Sequence, residues 1–226
     1  MPSFFRFPPE LRNLIYEYIS LDSGACILSS NDGRPSSPAP LSLTSRTVYE
    51  EYQSVLYNSA PCLTAHVRDF DFAHVIQFLD NLSEREARNN ARNDLLGSGN
   101  LLMRRHLTIV LSLTDKCRQH LDQLHAWLKL ITLRTSDHYR TSFQSSYTLH
   151  PTIGRAGSAS TVAPITLMRI IDDVYCSWYL QTPAGPLKEE IGKACDCLGE
   201  AELRINRLRT GVTLASGPRM GGLEIF

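Results

Sequence analysis

Histidine and cysteine are the side chains in this chain whose spacing could form a metal site. A zinc site takes four ligands, usually from closely spaced Cys and His residues. Cys117, His120 and His125 could share one helix, but His120 and His125 are five residues apart, whereas ligands on one helical face are four apart. Cys195 and Cys197 are two apart and would point to different faces. Neither set predicts a metal site.

Covalent catalysis would need an activated Ser or Cys, a base within reach and a group that orients the base. The sequence has no Gly-x-Ser-x-Gly motif, and the adjacent carboxylates Asp172 and Asp173 would diverge by about 100° on a helix. We therefore expect no enzyme. A pocket that brought Cys117 and His120 together with an acid would contradict this expectation.

Phosphate-binding and nucleotide motifs are also missing. The sequence has neither a Walker pattern nor Gly-x-Gly-x-x-Gly, and its glycine-rich stretch, residues 217–222, lies beyond the last predicted helix. We expect no cofactor, and we assign residues 211–226 to a flexible tail.

Charge gives no general reason to bind nucleic acid. Lys plus Arg and Asp plus Glu both number 23 among 226 residues, so the formal net charge is +0. Two local basic sets occur without interleaved aromatic residues: Arg104, Arg105 and His106, and Arg204, Arg207 and Arg209. We expect no nucleic-acid partner.

Membrane insertion and secretion are not predicted either. No run approaches the roughly 18 to 20 apolar residues of a membrane span. Near the N-terminus, Arg6 is followed by Pro8 and Pro9 rather than by the apolar segment of a secretory signal. We expect a soluble intracellular protein, cytoplasmic or nuclear, with reduced thiols.

Two amphipathic helices are predicted near the N-terminus, and we expect them to pack on each other. The first has an apolar stripe of Leu11, Leu14, Ile15, Tyr18 and Ile19. The second covers residues 43–57, with one face formed by Val48, Tyr52, Val55 and Leu56. Between them, residues 29–40 are rich in Pro, Gly and Ser and predict a disordered insertion.

The rest of the chain alternates predicted strands and helices. Strands are expected at 62–67, 106–113 and 142–149, and helices at 72–82, 115–131, 165–180 and from Pro186. Ser83-Glu84-Arg85-Glu86 has the form of a capping box that would begin a new helix. We predict an α+β fold in which a helical module, residues 4–60, leads into a small sheet covered by helices within residues 61–210.

The N-terminal residues also carry a resemblance. They read Phe7-Pro8-Pro9-Glu10-Leu11-Arg12, followed by Ile15-Tyr16, and they resemble the opening of the F-box. The likeness is greatest to the F-box-like proteins of filamentous fungi. A second block is similar to that family too: Leu43-Thr44-Ser45-Arg46, then Glu50 and Leu56-Tyr57, with Ser45 where Cys is usual and Phe7 where Leu is usual.

The resemblance implies a non-catalytic protein-binding adaptor. Its helical module would bind the adaptor subunit of an SCF-type cullin-RING ubiquitin ligase, while the remainder selects an unknown protein substrate. Carried over by position, the partner-binding residues are Phe7, Pro8, Leu11, Ile15 and Ile19. The alternative is a structural or regulatory scaffold with an F-box-like fold and no ubiquitin role, in which the C-terminal helices bury residues 8–19.

Overall fold

A computed structural model of the chain describes residues 4–22, 26–37, 40–93, 103–134, 141–150 and 162–210. The helices are α1 (Pro9–Asp22), α2 (Arg46–Ser59), α3 (Ala73–Asn93), α4 (Leu121–Arg134), α5 (Pro164–Val174) and α6 (Pro186–Thr210). The strands are β1 (Cys26–Leu28), β2 (Pro35–Ser36), β3 (Cys62–Arg68), β4 (Met103–Ser112) and β5 (Thr141–Leu149). Short 3-10 helices lie at Phe4–Arg6, Pro40–Leu43 and Cys117–His120, and a π-helix lies at Tyr175–Tyr179. The predicted tail, 211–226, is outside the described residues.

The five strands form one mixed sheet in the order β2-β1-β3-β4-β5. Strands β1, β3, β4 and β5 are parallel, and β2 is antiparallel to β1. Helices α2, α3 and α4 connect successive parallel strands. The predicted α+β class, with a small sheet covered by helices, is confirmed.

The core lies between the helices and one face of the sheet. Alternate residues of β3 and β4, such as Leu63 and Ile109, are buried. The rings of Phe72 and Trp127 belong to the same core and stack with centroids 4.8 Å apart and an interplanar angle of 3°. Each large apolar side chain buried in this way contributes about 1.5 to 3 kcal/mol.

Residues 29–37, which lie within the predicted disordered insertion, form an ordered hairpin between β1 and β2. The Ser29 amide donates to the Arg34 carbonyl at 2.9 Å, and the Gly33 amide donates to the Ser29 carbonyl at 2.9 Å. Gly33 adopts a φ of 63°, a conformation that glycine reaches without steric penalty. The turn residues therefore close a hairpin, and this corrects the prediction for that part of the segment.

The hairpin ties the N-terminal helices to the rest of the chain. Strand β1 pairs in parallel with β3, with Cys26 opposite Leu63 and Leu28 opposite Ala65. The sheet therefore crosses the predicted boundary at residue 60.

Arg105 of β4 makes a second connection across that boundary. Its side chain is 1% exposed and donates to the carbonyls of Ala60 at 2.7 Å, Tyr57 at 2.8 Å and Leu56 at 3.2 Å. These carbonyls are at the C-terminal end of α2, where the helix dipole favours a cation. Because Arg105 is buried, it does not contribute to the basic set of Arg104, Arg105 and His106 that was considered for nucleic-acid binding.

Two helix predictions also need correction. The Ser83 hydroxyl donates to the Leu79 carbonyl at 2.8 Å, as a serine inside a helix does, so α3 continues through the predicted capping box. The predicted helix over 165–180 is interrupted, because α5 ends at Val174 and the π-helix follows, with the Leu180 amide donating to the Tyr175 carbonyl at 3.0 Å.

Candidate partner-binding surface

Helix α1 begins at the residue types that favour a helix start. Proline suits an opening turn because the amide that it lacks would have no intrahelical partner. The carbonyl of Pro8 accepts hydrogen bonds from the amides of Leu11 and Arg12, both at 3.1 Å. Glu10 stands in the first turn, where a negative charge interacts favourably with the helix dipole.

Three polar side chains attach α1 to α2. The guanidinium of Arg12 donates from Nε to Glu51 Oε2 at 3.0 Å and from Nη2 to Glu51 Oε1 at 2.6 Å. The hydroxyl of Tyr16 donates to Glu51 Oε2 at 2.9 Å. Glu51 therefore accepts three hydrogen bonds from α1, in a bidentate geometry that is among the strongest for an arginine and a carboxylate. We call Arg12, Tyr16 and Glu51 the α1–α2 latch.

The latch also holds the segment that precedes α1. Arg12 Nη1 donates to the Phe7 carbonyl at 2.7 Å, and its guanidinium lies 5.9 Å from the ring centroid of Phe5. The ring of Phe4 lies 5.8 Å from the ring of Tyr16 and 6.3 Å from that of Phe7. The entrance to α1 is therefore positioned by the same arginine that pairs with α2.

The apolar stripe of α1 faces away from α2. The exposed fractions are 47% for Leu11, 60% for Leu14, 38% for Ile15 and 75% for Tyr18, and Leu21, one turn later, is 62% exposed. Successive residues turn by about 100°, so these five positions share one side of the helix. We call them the α1 apolar face.

The packing side of α1 differs from the prediction. The two helices do pack on each other, but the buried residues are Tyr16 and Ser20 rather than the predicted stripe. Tyr16 packs its ring 5.8 Å from that of Tyr52 on α2. At this contact α1 therefore packs through the Tyr16 phenol, which donates a hydrogen bond to the half-buried Glu51 carboxylate, and not through the aliphatic stripe.

The five predicted partner-binding residues divide into two groups. Phe7, Pro8, Leu11 and Ile15 are exposed, and Phe7 is 45% exposed. Ile19 is half-buried and packs against the core. The structure adds three exposed apolar residues that were not in the predicted set, namely Leu14, Tyr18 and Leu21. The sequence did indicate Leu14 and Tyr18 as candidates, because both belong to the predicted apolar stripe of α1.

Helix α2 supports this surface and agrees with its predicted pattern. Val48, Tyr52, Val55 and Leu56 are all buried. The Ser45 hydroxyl accepts a hydrogen bond from the Val48 amide at 3.2 Å, so the residue that stands where Cys is usual in the resembled family serves as the N-cap of α2.

A groove of about 370 Å³ lies on the other flank of α1, between the two helices. Most of its lining is polar, and the residues are Pro9, Asn13, Glu17, Glu51, Ser54, Val55 and Asn58. One of its two carboxylates, Glu51, is already engaged by the latch. The groove is therefore part of the helix contact, and the apolar side of α1 is a separate surface.

Electrostatics keep the latch in one protonation state near neutral pH. Hydrogen bonds from Arg12 lower the pKa of the Glu51 carboxyl below its usual value. Burial, followed by the hydrogen bond to Glu51, raises the pKa of the Tyr16 phenol to about 12. Neither group exchanges protons at physiological pH, which indicates a positioning role rather than acid–base chemistry.

The cysteines that were considered for catalysis and for a metal site have raised pKa values. Cys117 is buried, and desolvation raises the pKa of its thiol to about 12, which opposes formation of the nucleophilic thiolate. Burial likewise raises the pKa of Cys195 to about 11 and that of Cys197 to about 12. His125 stacks on Trp178 with centroids 4.6 Å apart. No group of three potential metal ligands occurs within the described residues.

One buried polar cluster was not anticipated. Glu190 of α6 is 2% exposed and accepts hydrogen bonds from the hydroxyls of Ser145 and Tyr147 of β5, the latter at 2.7 Å. Lys193 Nζ lies 2.9 Å from Glu190 Oε2 and 3.3 Å from Ser145 Oγ. The cluster joins α6 to the sheet.

None of the helices within the described ranges combines the length and the apolar character needed to cross a bilayer. Comparison of the chain with protein-family models, with curated proteins and with solved structures finds no match in any of the three.

Proposed function

We propose that this chain is a non-catalytic protein–protein interaction adaptor, and that it serves as the substrate receptor of an SCF-type cullin-RING ubiquitin ligase inside the cell. Such a receptor acts by proximity, because it holds a substrate near a bound conjugating enzyme and so raises the effective concentration of the reacting groups. The α1 apolar face would bind the adaptor subunit of the ligase.

The observation that carries the proposal is the combination of an F-box-like opening with an uncovered apolar face on the helix that follows it. Contiguous exposed apolar residues on a protein surface mark interaction sites more often than isolated ones do. Leu11, Leu14, Ile15 and Tyr18 have the spacing of a helix that binds in a hydrophobic groove.

The α1–α2 latch supports the same proposal. A helix that is already held in place loses less conformational entropy on binding than one that must first be ordered. Arg12 and Tyr16 attach α1 to Glu51 from one side only and leave the opposite side free.

The alternative, a scaffold with no ubiquitin role, would be favoured if the C-terminal helices buried residues 8–19. In the described part of the chain α1 packs against α2, and Leu11 and Ile15 stay exposed. This arrangement favours the receptor hypothesis over the scaffold.

Binding of the purified full chain to a purified SCF adaptor subunit tests the proposal directly. We expect micromolar or tighter binding by isothermal titration calorimetry. Ile15→Asp places a charge at the centre of the apolar interface and should weaken binding by about thirtyfold or more.

Leu203→Asp is the matched control, because Leu203 is a 57% exposed leucine on the distant helix α6. It should leave adaptor affinity unchanged, and circular dichroism should show that both variants are folded. A folded wild-type chain that does not bind at micromolar concentrations refutes the ligase role. An equal loss of adaptor affinity from Leu203→Asp would show that α1 is not the interface.

A further inference from the structure

Lysine is scarce in this chain and confined to one part of it. Of the 23 lysine and arginine residues, only four are lysines, namely Lys116, Lys129, Lys188 and Lys193. All four lie within the described residues, and the first 115 residues contain none. The α1 apolar face, the α1–α2 latch and the rest of α2 therefore carry no side-chain amine.

Lys193 is the most constrained of the four lysines. Its Nζ lies 2.9 Å from Glu190 Oε2, 3.3 Å from Ser145 Oγ and 3.4 Å from the Ser145 carbonyl oxygen. An ammonium has three hydrogens, so these three acceptors occupy all of its donors. Glu190 is 2% exposed and would lose this cationic partner if Lys193 turned away. A buried carboxylate without a cation is unfavourable, which holds Lys193 in place.

Lys188 is held more weakly. Its Nζ lies 4.8 Å from the ring centroid of Tyr179, within the range of a cation–π contact. Tyr179 in turn stacks on Tyr175 with centroids 5.2 Å apart. A cation–π contact near the surface favours the bound position by a factor of about two to five. Lys188 is therefore less available than a lysine without such a contact.

Lys116 and Lys129 are the two lysines without such contacts. Both are exposed, and in the described part of the chain neither ammonium has a hydrogen bond, an ion pair or a ring contact. Lys116 directly precedes the 3-10 helix Cys117–His120, and Lys129 lies in α4. Both therefore belong to the connection between β4 and β5.

The connection between β4 and β5 is remote from the N-terminal helices. In the strand order β2-β1-β3-β4-β5, α1 leads into β1, which lies toward the other end of the sheet. Helix α1 packs on α2, whereas α4 contacts α6 and β5. A partner bound to the α1 apolar face would therefore contact a different part of the molecule from the one that carries Lys116 and Lys129.

Proximity in a ubiquitin ligase acts on the receptor as well as on its substrate. The receptor is held near the conjugating enzyme too, so its own amines share the raised effective concentration. The neutral nitrogen of a lysine attacks the thioester carbonyl carbon that joins ubiquitin to the conjugating enzyme. An N–C bond forms, the C–S bond breaks, and the proton that the nitrogen loses goes to the departing thiolate. The step needs an amine that is free to turn toward the thioester.

We propose that Lys116 and Lys129 are sites of ubiquitin attachment, so that the ligase modifies its own receptor as well as the substrate. The inference rests on the proposed ligase role. These two amines are exposed and unengaged, whereas Lys188 and Lys193 must first give up the contacts described above. Because the first 115 residues hold no lysine, attachment at these sites leaves the α1 apolar face chemically unchanged.

Reconstituted ubiquitination of the full chain, with the adaptor, the cullin-RING subunits, a conjugating enzyme and ubiquitin, tests the inference. We expect peptide mass spectrometry to find ubiquitin on Lys116 and Lys129. The double variant Lys116→Arg/Lys129→Arg should lower the modified fraction about fivefold or more, since the amines that remain are engaged. Lys188→Arg/Lys193→Arg is the matched control, because it also removes two lysines, and it should stay within about twofold of the wild-type value.

Acetylation of the chain alone gives a second measure that needs no ligase. Sulfosuccinimidyl acetate acylates amines through the same attack of a nitrogen on an activated carbonyl. With limited reagent we expect Lys116 and Lys129 to react first, Lys188 later and Lys193 last. Equal rates at all four lysines, or the reverse order, would overturn the inference.

The outcomes separate this inference from the proposed function. A folded chain that does not bind the adaptor refutes the ligase role and removes the inference with it. If the adaptor binds, three results overturn the inference alone: no ubiquitin on the chain, ubiquitin mainly on Lys188, Lys193 or the α-amino group of Met1, and equal losses from the two double variants. Both double variants should be folded by circular dichroism and should bind the adaptor with wild-type affinity, because neither changes the α1 apolar face.

Discussion

Among the glycines in the described part of the chain, Gly33 has the surroundings that tolerate a side chain least. An added Cβ would lie 2.2 Å from the His74 carbonyl oxygen and 3.1 Å from the Phe78 amide nitrogen, both of them backbone atoms of α3. The φ of 63° adds conformational strain for any residue with a side chain. The hairpin can therefore approach α3 this closely only with glycine at the turn.

Gly33→Ala should lower the free energy of unfolding by about 2 to 4 kcal/mol, since strain and overlap act together. Gly199→Ala is the matched control in the interior of α6, where an added Cβ meets nothing within 4 Å. It should raise the free energy of unfolding by up to about 1 kcal/mol, because alanine favours a helix more than glycine does. Equilibrium urea denaturation measures both changes in the free energy of unfolding. Changes of the same sign would contradict the requirement for glycine at position 33.

Some conformations at the residue scale have no sequence signal. Asp69 and Phe70 adopt φ values of 51° and 66° although neither is glycine. Long-range contacts hold them there, because the Asp69 carboxylate binds Thr114, 45 residues away, and the Phe70 ring is buried. The position of the Arg105 side chain also depends on distant residues. The carbonyls of Ala60 and Tyr57, which accept its hydrogen bonds, lie more than 40 positions earlier in the chain.

At the scale of elements, the attachment of α1 to α2 should depend on pH. The folded-state pKa of Glu51 is below its unfolded value, mainly because Arg12 donates hydrogen bonds to the carboxylate. The stability that Glu51 contributes is therefore complete above an unfolded pKa of about 4.3, and it is lost as the pH falls through the lowered folded-state pKa.

Glu51→Gln should consequently be less stable than the wild-type chain at neutral pH, and the difference should shrink as the pH falls below about 4. Thermal unfolding of the two proteins over a series of pH values measures this. The carboxyl of Asp32 also has a lowered pKa, but it contributes equally to both proteins and cancels in the difference. A gap in Tm that stays constant into the acid range would show that the latch carboxylate does not contribute.

Long elements were easier to predict than short ones. Strands β3, β4 and β5 were predicted from their sequence patterns and have 7, 10 and 9 residues, whereas β1 and β2 have three and two residues and show no periodicity. The packing side of α1 was not predictable from its own pattern, because Tyr16 is buried by a partner 35 residues away.

At the scale of the whole molecule, the α+β class and the covered sheet were predictable, but the dependence of the N-terminal helices on the remainder was not. Strand β1 needs β3 as its partner, and the carbonyls at the end of α2 need Arg105 of β4. Both contacts join segments that are distant in sequence, which local periodicity does not detect.

A fragment of residues 1–60 should therefore fail to fold alone, although it contains both sequence blocks that resemble the F-box. We expect poorly dispersed amide resonances and no cooperative thermal transition by circular dichroism, while the full chain shows both. Cooperative unfolding of the fragment would establish instead that the N-terminal module is autonomous.

The spatial order of the parallel strands also bears on how the chain folds during synthesis. Strands β2 and β3 pair with β1, β4 pairs with β3, and β5 pairs with β4, so each strand after β1 has a partner that emerged from the ribosome before it. Among these five strands, only β1 has to wait for later segments, because both of its partners, β2 and β3, follow it in the chain. The sheet can grow from its N-terminal edge toward β5 as translation proceeds, and each new helix covers the strands that are already paired.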